Sequence, residues 1–149
     1  MKRFEYRLQR VLDVKEIRER ERLEEVARRR RTLEEAERSL ARLRAERERA
    51  EEEARAEDRP LRPRELEGRH AWLVSIADAV RGEEGRVMRL GRELRDAQRR
   101  LTQAGKERKT LERARDHSKD LHRKTADRHE QGRLDEVAGQ RHGAGKDAA

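Results

Sequence analysis

The sequence contains no cysteine and few of the residues that build a compact core. Without cysteine there is no disulfide, no thiolate metal ligand and no cysteine nucleophile. One Phe, one Tyr and one Trp are present, and hydrophobic residues make up 32% of the 149 residues. So few large apolar side chains cannot fill the centre of a globule. We therefore do not expect a deep core with an enclosed active-site pocket.

Long apolar runs are also absent. The most apolar window, residues 71–80, contains Ser75 and Asp78 and is half of the roughly 20 residues that a membrane-spanning helix needs. The first residues include no apolar stretch of the kind found in signal peptides. We expect a soluble, cytoplasmic protein.

Charged side chains are abundant instead. They make up 50% of the residues, with 41 Lys and Arg against 33 Asp and Glu, and the formal net charge is +8. A chain of this kind is either disordered or built of long helices that need only a narrow apolar seam. The many Arg, Glu, Ala and Leu residues favour helices, because these residues have high helix propensity.

The two prolines, Pro60 and Pro63, lie together and divide the chain. Proline interrupts a helix and disfavours helix in the residue before it, although Pro63 suits the first turn of a second helix. We predict helix one over about residues 3–57, a turn at 58–62 and helix two over about 63–129. Several glycines near the end predict a flexible C-terminal tail at 132–149.

Apolar residues recur every seven positions in both predicted helices. In helix two they are Leu73, Val80, Val87, Leu94 and Leu101, with Ile76, Leu90, Ala97, Ala104 and Leu111 at the second seam position. In helix one they are Val26, Leu33, Ala36, Leu40, Leu43, Ala50 and Ala54. Such a repeat imposes a left-handed supercoil, and a short connection makes neighbouring helices antiparallel.

The predicted fold is therefore all-α: two long helices form an antiparallel left-handed coiled-coil hairpin over residues 1–131. The alternative is two helices in an unrelated bundle. Residues equidistant from the turn should meet, which places Leu33 near Val87 and Phe4 near His117.

The sequence offers no group of residues for catalysis or metal binding. Carboxylates occur throughout and pair with arginine at helical spacing, so no isolated acid–base pair stands out. His122 and His129 are seven residues apart, but two histidines are too few ligands for a metal site. We expect no enzyme activity, no cofactor and no metal.

Nucleic-acid binding is the alternative that belongs to a different functional class. The run Arg28–Arg31 and the basic net charge would suit phosphate contacts. However, consecutive residues on a helix point in different directions, glutamates bracket the run, and no aromatic residue lies in it for base stacking. A solvated coiled-coil face is the favoured interpretation, and a basic nucleic-acid-binding or scaffold protein remains the alternative.

Three stretches together resemble the FliJ family of flagellar export proteins. They are FEYRLQRVLDVKE at residues 4–16, RHAWLVSI at 69–76 and HEQGRLDEVA at 129–138. Their order and spacing extend the resemblance over nearly the whole chain.

The resemblance implies a non-catalytic, stalk-like coiled coil of the flagellar type III protein export apparatus. Members of the family associate with the hexameric export ATPase, promote its assembly and activity, and connect it to the membrane export gate. They also bind export chaperones. The implied location is the cytoplasmic face of the inner membrane at the flagellar base, reached through these partners. The stalk protein of an injectisome is the alternative within the same class.

Two candidate partner-binding surfaces follow from this resemblance. For the end that would contact the ATPase, we predict Phe4, Tyr6, Arg7, Leu8 and Arg10. For the export gate, the family's surface near the turn suggests Trp72, Ile76 and Ala79. In the alternative interpretation, Leu8 and Leu12 only close the seam against Leu111, Trp72 only packs at its flank, and Ile76 is a seam residue.

Overall fold

The computed structural model describes residues 3–146 and contains two helices in that range, α1 (Gln9–Ala56) and α2 (Pro63–Lys146). No strand occurs among these residues. The prediction of an all-α helical hairpin is confirmed. Residues 1, 2 and 147–149, which the sequence assigned to the hairpin and the tail, lie outside the described range.

Local hydrogen bonds fix the start of α2 at Pro63. The backbone N–H of Arg62 donates to Oε2 of Glu65 at 3.1 Å, and the N–H of Leu66 donates to the Arg62 carbonyl at 3.0 Å. Proline is favoured at the first helical position, and a glutamate at the third can return to the residue before the helix. The hydrogen bond from the Arg62 N–H holds the pKa of Glu65 below its usual value.

The other predicted boundaries differ from the structure. Helix α1 begins at Gln9 rather than near residue 3, because the preceding residues turn and attach to α2. The Gln9 N–H donates to the Tyr6 carbonyl at 3.0 Å, and the Tyr6 hydroxyl donates to the Leu111 carbonyl at 3.2 Å. Tertiary contacts therefore replace the first two predicted turns of helix.

Helix α2 continues through Lys146, so the predicted end near residue 129 is wrong. No proline follows Pro63, and no glycine in the described range has a positive φ that would end the helix. A glycine inside a helix costs only about 1 kcal/mol relative to alanine. Residues 127–142 are exposed along this extension. The flexibility expected for residues 132–149 stays a prediction.

The chain divides into two compact units, and the larger, unit 2, comprises Arg20–Gln103. Within it α1 and α2 run antiparallel, since ion pairs join Arg44 to Glu84 and Glu57 to Arg69. The apolar contact between the helices buries residues at predicted seam positions: Val26, Ala36, Leu40, Ile76, Val80 and Ala97.

Unit 1 comprises Met1–Glu19 and Ala104–Ala149. Its helices are also antiparallel, since Tyr6 contacts Leu111 and Lys15 pairs with Glu107. Its buried hydrophobic residues in the described range are Leu12 and Ala104. The Phe4 and His122 rings lie 5.6 Å apart, so the predicted partner of Phe4, His117, is wrong by five residues. Residues 57–62 are not helical, and extended chain advances more than twice as far per residue as a helix. The extended connection therefore shifts α2 along α1 by about five residues. The prediction paired residues at equal distances from Pro60 and did not include this shift.

Candidate partner-binding surfaces

The first candidate surface is a cleft in unit 1 of about 950 Å³, here called the N-terminal cleft. Residues before α1 and at its start form one side, and α2 at residues 115–119 forms the other. The lining residues are Arg3, Phe4, Glu5, Tyr6, Arg7, Gln9, Arg10, Arg115, Asp116 and Lys119. The Tyr6 hydrogen bond to Leu111 and the Phe4–His122 ring contact hold the N-terminal side in place.

The N-terminal cleft carries an excess of positive charge. Five of its lining residues are Arg or Lys, and two are Asp or Glu. Arg115 is paired with Asp116 at 3.4 Å. Arg7, Arg10 and Lys119 make no ion pair within residues 3–146, so their charges are available to a partner. The cleft is therefore suited to a negatively charged protein surface.

The residues predicted for this end occupy different positions. Phe4 and Tyr6 are half-buried in the cleft wall, and Arg7 and Arg10 line it with exposed side chains. Leu8 is exposed beside them but does not line the cleft. Leu12 is fully buried, so the seam interpretation holds for Leu12 and not for Leu8.

Sequence reasoning missed the part of the cleft that α2 contributes. Arg115 and Lys119 are more than 100 residues from Phe4, and nothing local marks them. The signal that could have found them is the antiparallel pairing with the correct offset. Counting back from the Phe4–His122 contact places residues 115–119 beside the start of α1.

The second candidate surface surrounds Trp72 in unit 2. The Trp72 side chain is 52% exposed and borders a groove of about 310 Å³. The other lining residues are Glu46, Arg49, Ala50 and Glu53, all on α1. Ala79 is also exposed and lies two turns after Trp72 on the same face of α2. Trp72 thus has both a packed side and a free side.

Ile76 does not belong to this surface. Its side chain is 4% exposed and forms one cluster with Leu40 and Val80 between the helices. The seam position of Ile76 determines this burial, so its assignment to a partner-binding surface is corrected. Two exposed apolar residues of the first turns of α2 were not predicted, Leu66 and Val74. Val74 lies off the seven-residue repeat, whereas Leu66 lies on it, seven residues before Leu73, and is exposed all the same.

The described residues contain no buried polar or charged side chain and no group of three or more His, Asp or Glu that could hold a metal ion. No helix in residues 3–146 is both long and apolar enough to span a membrane.

The arginine run at residues 28–31 is divided by its own contacts. Arg29 Nη1 lies 2.7 Å from Glu93 Oε2, and Arg31 Nε donates to the Ala27 carbonyl at 3.4 Å. These two side chains point to different sides of α1. The run does not present four parallel cations to a phosphate backbone.

Comparison with known proteins identifies the family. A family model described as "Flagellar FliJ protein" matches residues 4–146, which is nearly the entire chain. The chain belongs to the FliJ family. No curated protein and no solved structure gives a significant match. FliJ proteins are non-catalytic components of flagellar protein export, and the match favours a flagellar system over an injectisome.

Proposed function

We propose that this FliJ-family protein binds and stimulates the hexameric export ATPase and links it to the export gate and to export chaperones. The observation that carries the proposal is the family match over residues 4–146. The protein would act by binding alone, at the cytoplasmic face of the inner membrane, with its partners holding it there. The finer roles rest on the two candidate surfaces.

The N-terminal cleft is the proposed contact with the ATPase. Arg7 and Arg10 are exposed and unpaired in the described range, and Phe4 and Tyr6 give the cleft a fixed aromatic wall. A prearranged site loses less conformational entropy on binding than a flexible one. A charged rim also speeds encounter with an oppositely charged partner. An acidic surface of the ATPase would satisfy both features.

The surface around Trp72 is the proposed contact with the export gate. A tryptophan that is half exposed in the free protein has a large apolar area left to bury. Such residues are frequent hot spots at protein interfaces, where truncation typically costs about 2 kcal/mol or more. Ala79 extends this surface along α2, while buried Ile76 supports it from inside.

Two substitutions test the separation of these roles. We expect Arg7→Glu to weaken stimulation of the cognate ATPase, because it reverses a charge in the cleft. We expect Trp72→Ala to weaken capture of the gate's cytoplasmic domain, because it removes the exposed indole. ATPase assays and pull-downs with purified components measure the two effects, after circular dichroism has shown parental helicity.

Matched controls come from exposed residues outside both surfaces. Arg42→Glu reverses an exposed charge on α1, and Met88→Ala removes an exposed apolar side chain on α2. Both should keep both activities. If Arg7→Glu and Trp72→Ala each lose both activities, or neither loses any, the two-surface assignment is wrong. Co-purification with nucleic acid that salt removes steeply would favour the nucleic-acid-binding alternative instead.

A further inference from the structure

The seam between the helices changes its chemistry along α1. After the buried Leu12, the α1 side chains of unit 1 that pair with α2 are Lys15 and Glu19, and neither is apolar. Lys15 and Glu19 belong to unit 1. On α2 the seam position after Ala104 is occupied by Arg108.

Ion pairs occupy this charged stretch of unit 1. Lys15 Nζ lies 2.7 Å from Glu107 Oε2, and Arg108 donates from Nε to Glu19. Arg108 also pairs through Nη1 with Glu112 at 2.6 Å. The hydrogen bonds to Glu19 and Glu112 raise the pKa of the Arg108 guanidinium. None of these side chains is buried, so water and salt reach them.

Gly105 leaves room for the central pair. A Cβ atom at this position would lie 3.2 Å from Oε1 of Glu19, which is closer than ordinary contact. The absence of a side chain lets the Glu19 carboxylate approach α2 and reach Arg108. Gly105 thus weakens α2 locally but allows the Glu19–Arg108 ion pair to form between the helices.

Apolar burial is unequal between the two units. Among the residues whose burial is described, unit 1 buries Leu12 and Ala104, whereas unit 2 buries six hydrophobic residues, including the cluster of Leu40, Ile76 and Val80. Hydrophobic burial is not weakened by added salt, but exposed ion pairs are, since the Debye length falls from about 10 Å at 0.1 M to about 3 Å at 1 M. Unit 2 also has ion pairs between its helices, such as Arg29–Glu93 and Arg44–Glu84, but its apolar cluster remains when they are screened. The helix pairing of unit 1 should therefore depend on salt more than that of unit 2.

We propose that unit 1 can open independently of unit 2. When salt screens the Glu19–Arg108 and Lys15–Glu107 pairs, residues 3–19 separate from α2, while the helix pairing of unit 2 persists. Opening would expose Leu12 and Ala104 and release Phe4 and Tyr6 from α2. The inference concerns the isolated chain and does not depend on any partner.

Spin-label distances in the full chain test the proposal. Because the chain has no cysteine, Val11→Cys with Arg113→Cys labels unit 1, and Arg38→Cys with Arg89→Cys labels unit 2. All four positions are exposed. Between 0.05 and 1 M NaCl, we expect the unit 1 distance to broaden and its mean to rise by about 10 Å, one helix diameter. The unit 2 distance should stay unchanged.

A matched variant separates charge from general weakness. Glu19→Leu combined with Arg108→Leu replaces one of the two ion pairs by apolar side chains, and it should reduce the salt dependence of the unit 1 distance to the share that Lys15–Glu107 contributes. Amide hydrogen exchange of the unmodified protein provides a label-free check: protection of residues 12–19 should fall with salt, and that of residues 33–50 should not. A unit 1 distance and protection that stay constant at 1 M NaCl, opening of both units together, or an undiminished salt dependence in the double variant would overturn the proposal.

Discussion

The glycines of α2 have different surroundings, and these surroundings determine how much each glycine lowers the stability of the protein. A Cβ added at Gly82 or Gly85 meets nothing within 4 Å, whereas one at Gly105 meets the Glu19 carboxylate. Gly82 and Gly85 thus lower the stability of the helix without a compensating contact, since nothing near them requires the absence of a side chain. Gly105 also lowers helix propensity, but its lack of a side chain allows the Glu19 carboxylate to come close to α2.

We predict that Gly82→Ala stabilises the protein by up to about 1 kcal/mol, the usual propensity difference between glycine and alanine in a helix. Gly105→Ala should gain less or lose stability, because Glu19 must move away from the new methyl group. Urea denaturation followed by circular dichroism measures both. Equal gains for the two variants would show that the space around Gly105 has no structural role.

The Glu65 carboxylate links pH to the start of α2. Its pKa is lowered mainly by the Arg62 N–H and further by Arg59, so its contribution to stability is complete above the ordinary value of 4.5 and declines as the pH falls through the lowered pKa. We predict that Glu65→Ala speeds hydrogen exchange of the Arg62 amide at neutral pH. The difference from the parent should disappear in acid. An effect that persists after full protonation would have another origin.

At the scale of the helices, stability is concentrated in a few aliphatic residues of the seam. Leu40 is 7% exposed in the main cluster, while Leu23, on the same helix, is 57% exposed. We predict that Leu40→Ala lowers the free energy of unfolding by about 2–4 kcal/mol, as for other buried leucines. Leu23→Ala should change it by less than about 0.5 kcal/mol. Thermal and urea unfolding of the two variants give a direct comparison within α1.

The seven-residue repeat predicted the helices and most of the buried side chains, because burial in a two-helix structure follows periodicity. Leu40, Ile76 and Val80 are core residues in both the sequence and the structure. The start of α1 could not be predicted in this way. Residues 3–8 have no helix-breaking residue, and their conformation depends on contacts with α2 that are more than 100 residues distant.

Similar reasoning explains the candidate surfaces. Arg7 and Arg10 were accessible to prediction because local sequence carries the family resemblance. Arg115 and Lys119 complete the cleft only through antiparallel pairing, which the offset near the turn shifted by five residues. Ile76 was predicted both as a seam residue and as part of the surface for the export gate, and its burial favours the seam.

At the scale of the whole chain, the last part of α2 is helical but contributes no described contact between the helices. Residues 130–142 are all exposed, and their ion-pair and hydrogen-bond partners in the described range are local. We predict that deleting residues 130–149 leaves the free energy of unfolding within about 0.5 kcal/mol of the parent. The helical circular dichroism signal should fall. A large loss of stability would reveal contacts that this helix makes in solution.

The distance along the chain between paired residues also has a consequence for the order of folding. An ion pair beside the turn joins residues 12 apart in sequence, Glu57 and Arg69, whereas Tyr6 and Leu111 are 105 apart. Closing the longer loop costs about 2 kcal/mol more in chain entropy. Pairing should therefore start beside the turn and proceed outward, with the contacts of Tyr6 and Phe4 forming last. In stopped-flow refolding, Val80→Ala should slow folding, whereas Leu12→Ala should mainly speed unfolding. The reverse pattern would place the folding nucleus at the chain ends. During synthesis, most of α1 would leave the ribosome long before the α2 residues that cover its first turns, so the N-terminal cleft could not form until Arg115 and Lys119 had emerged.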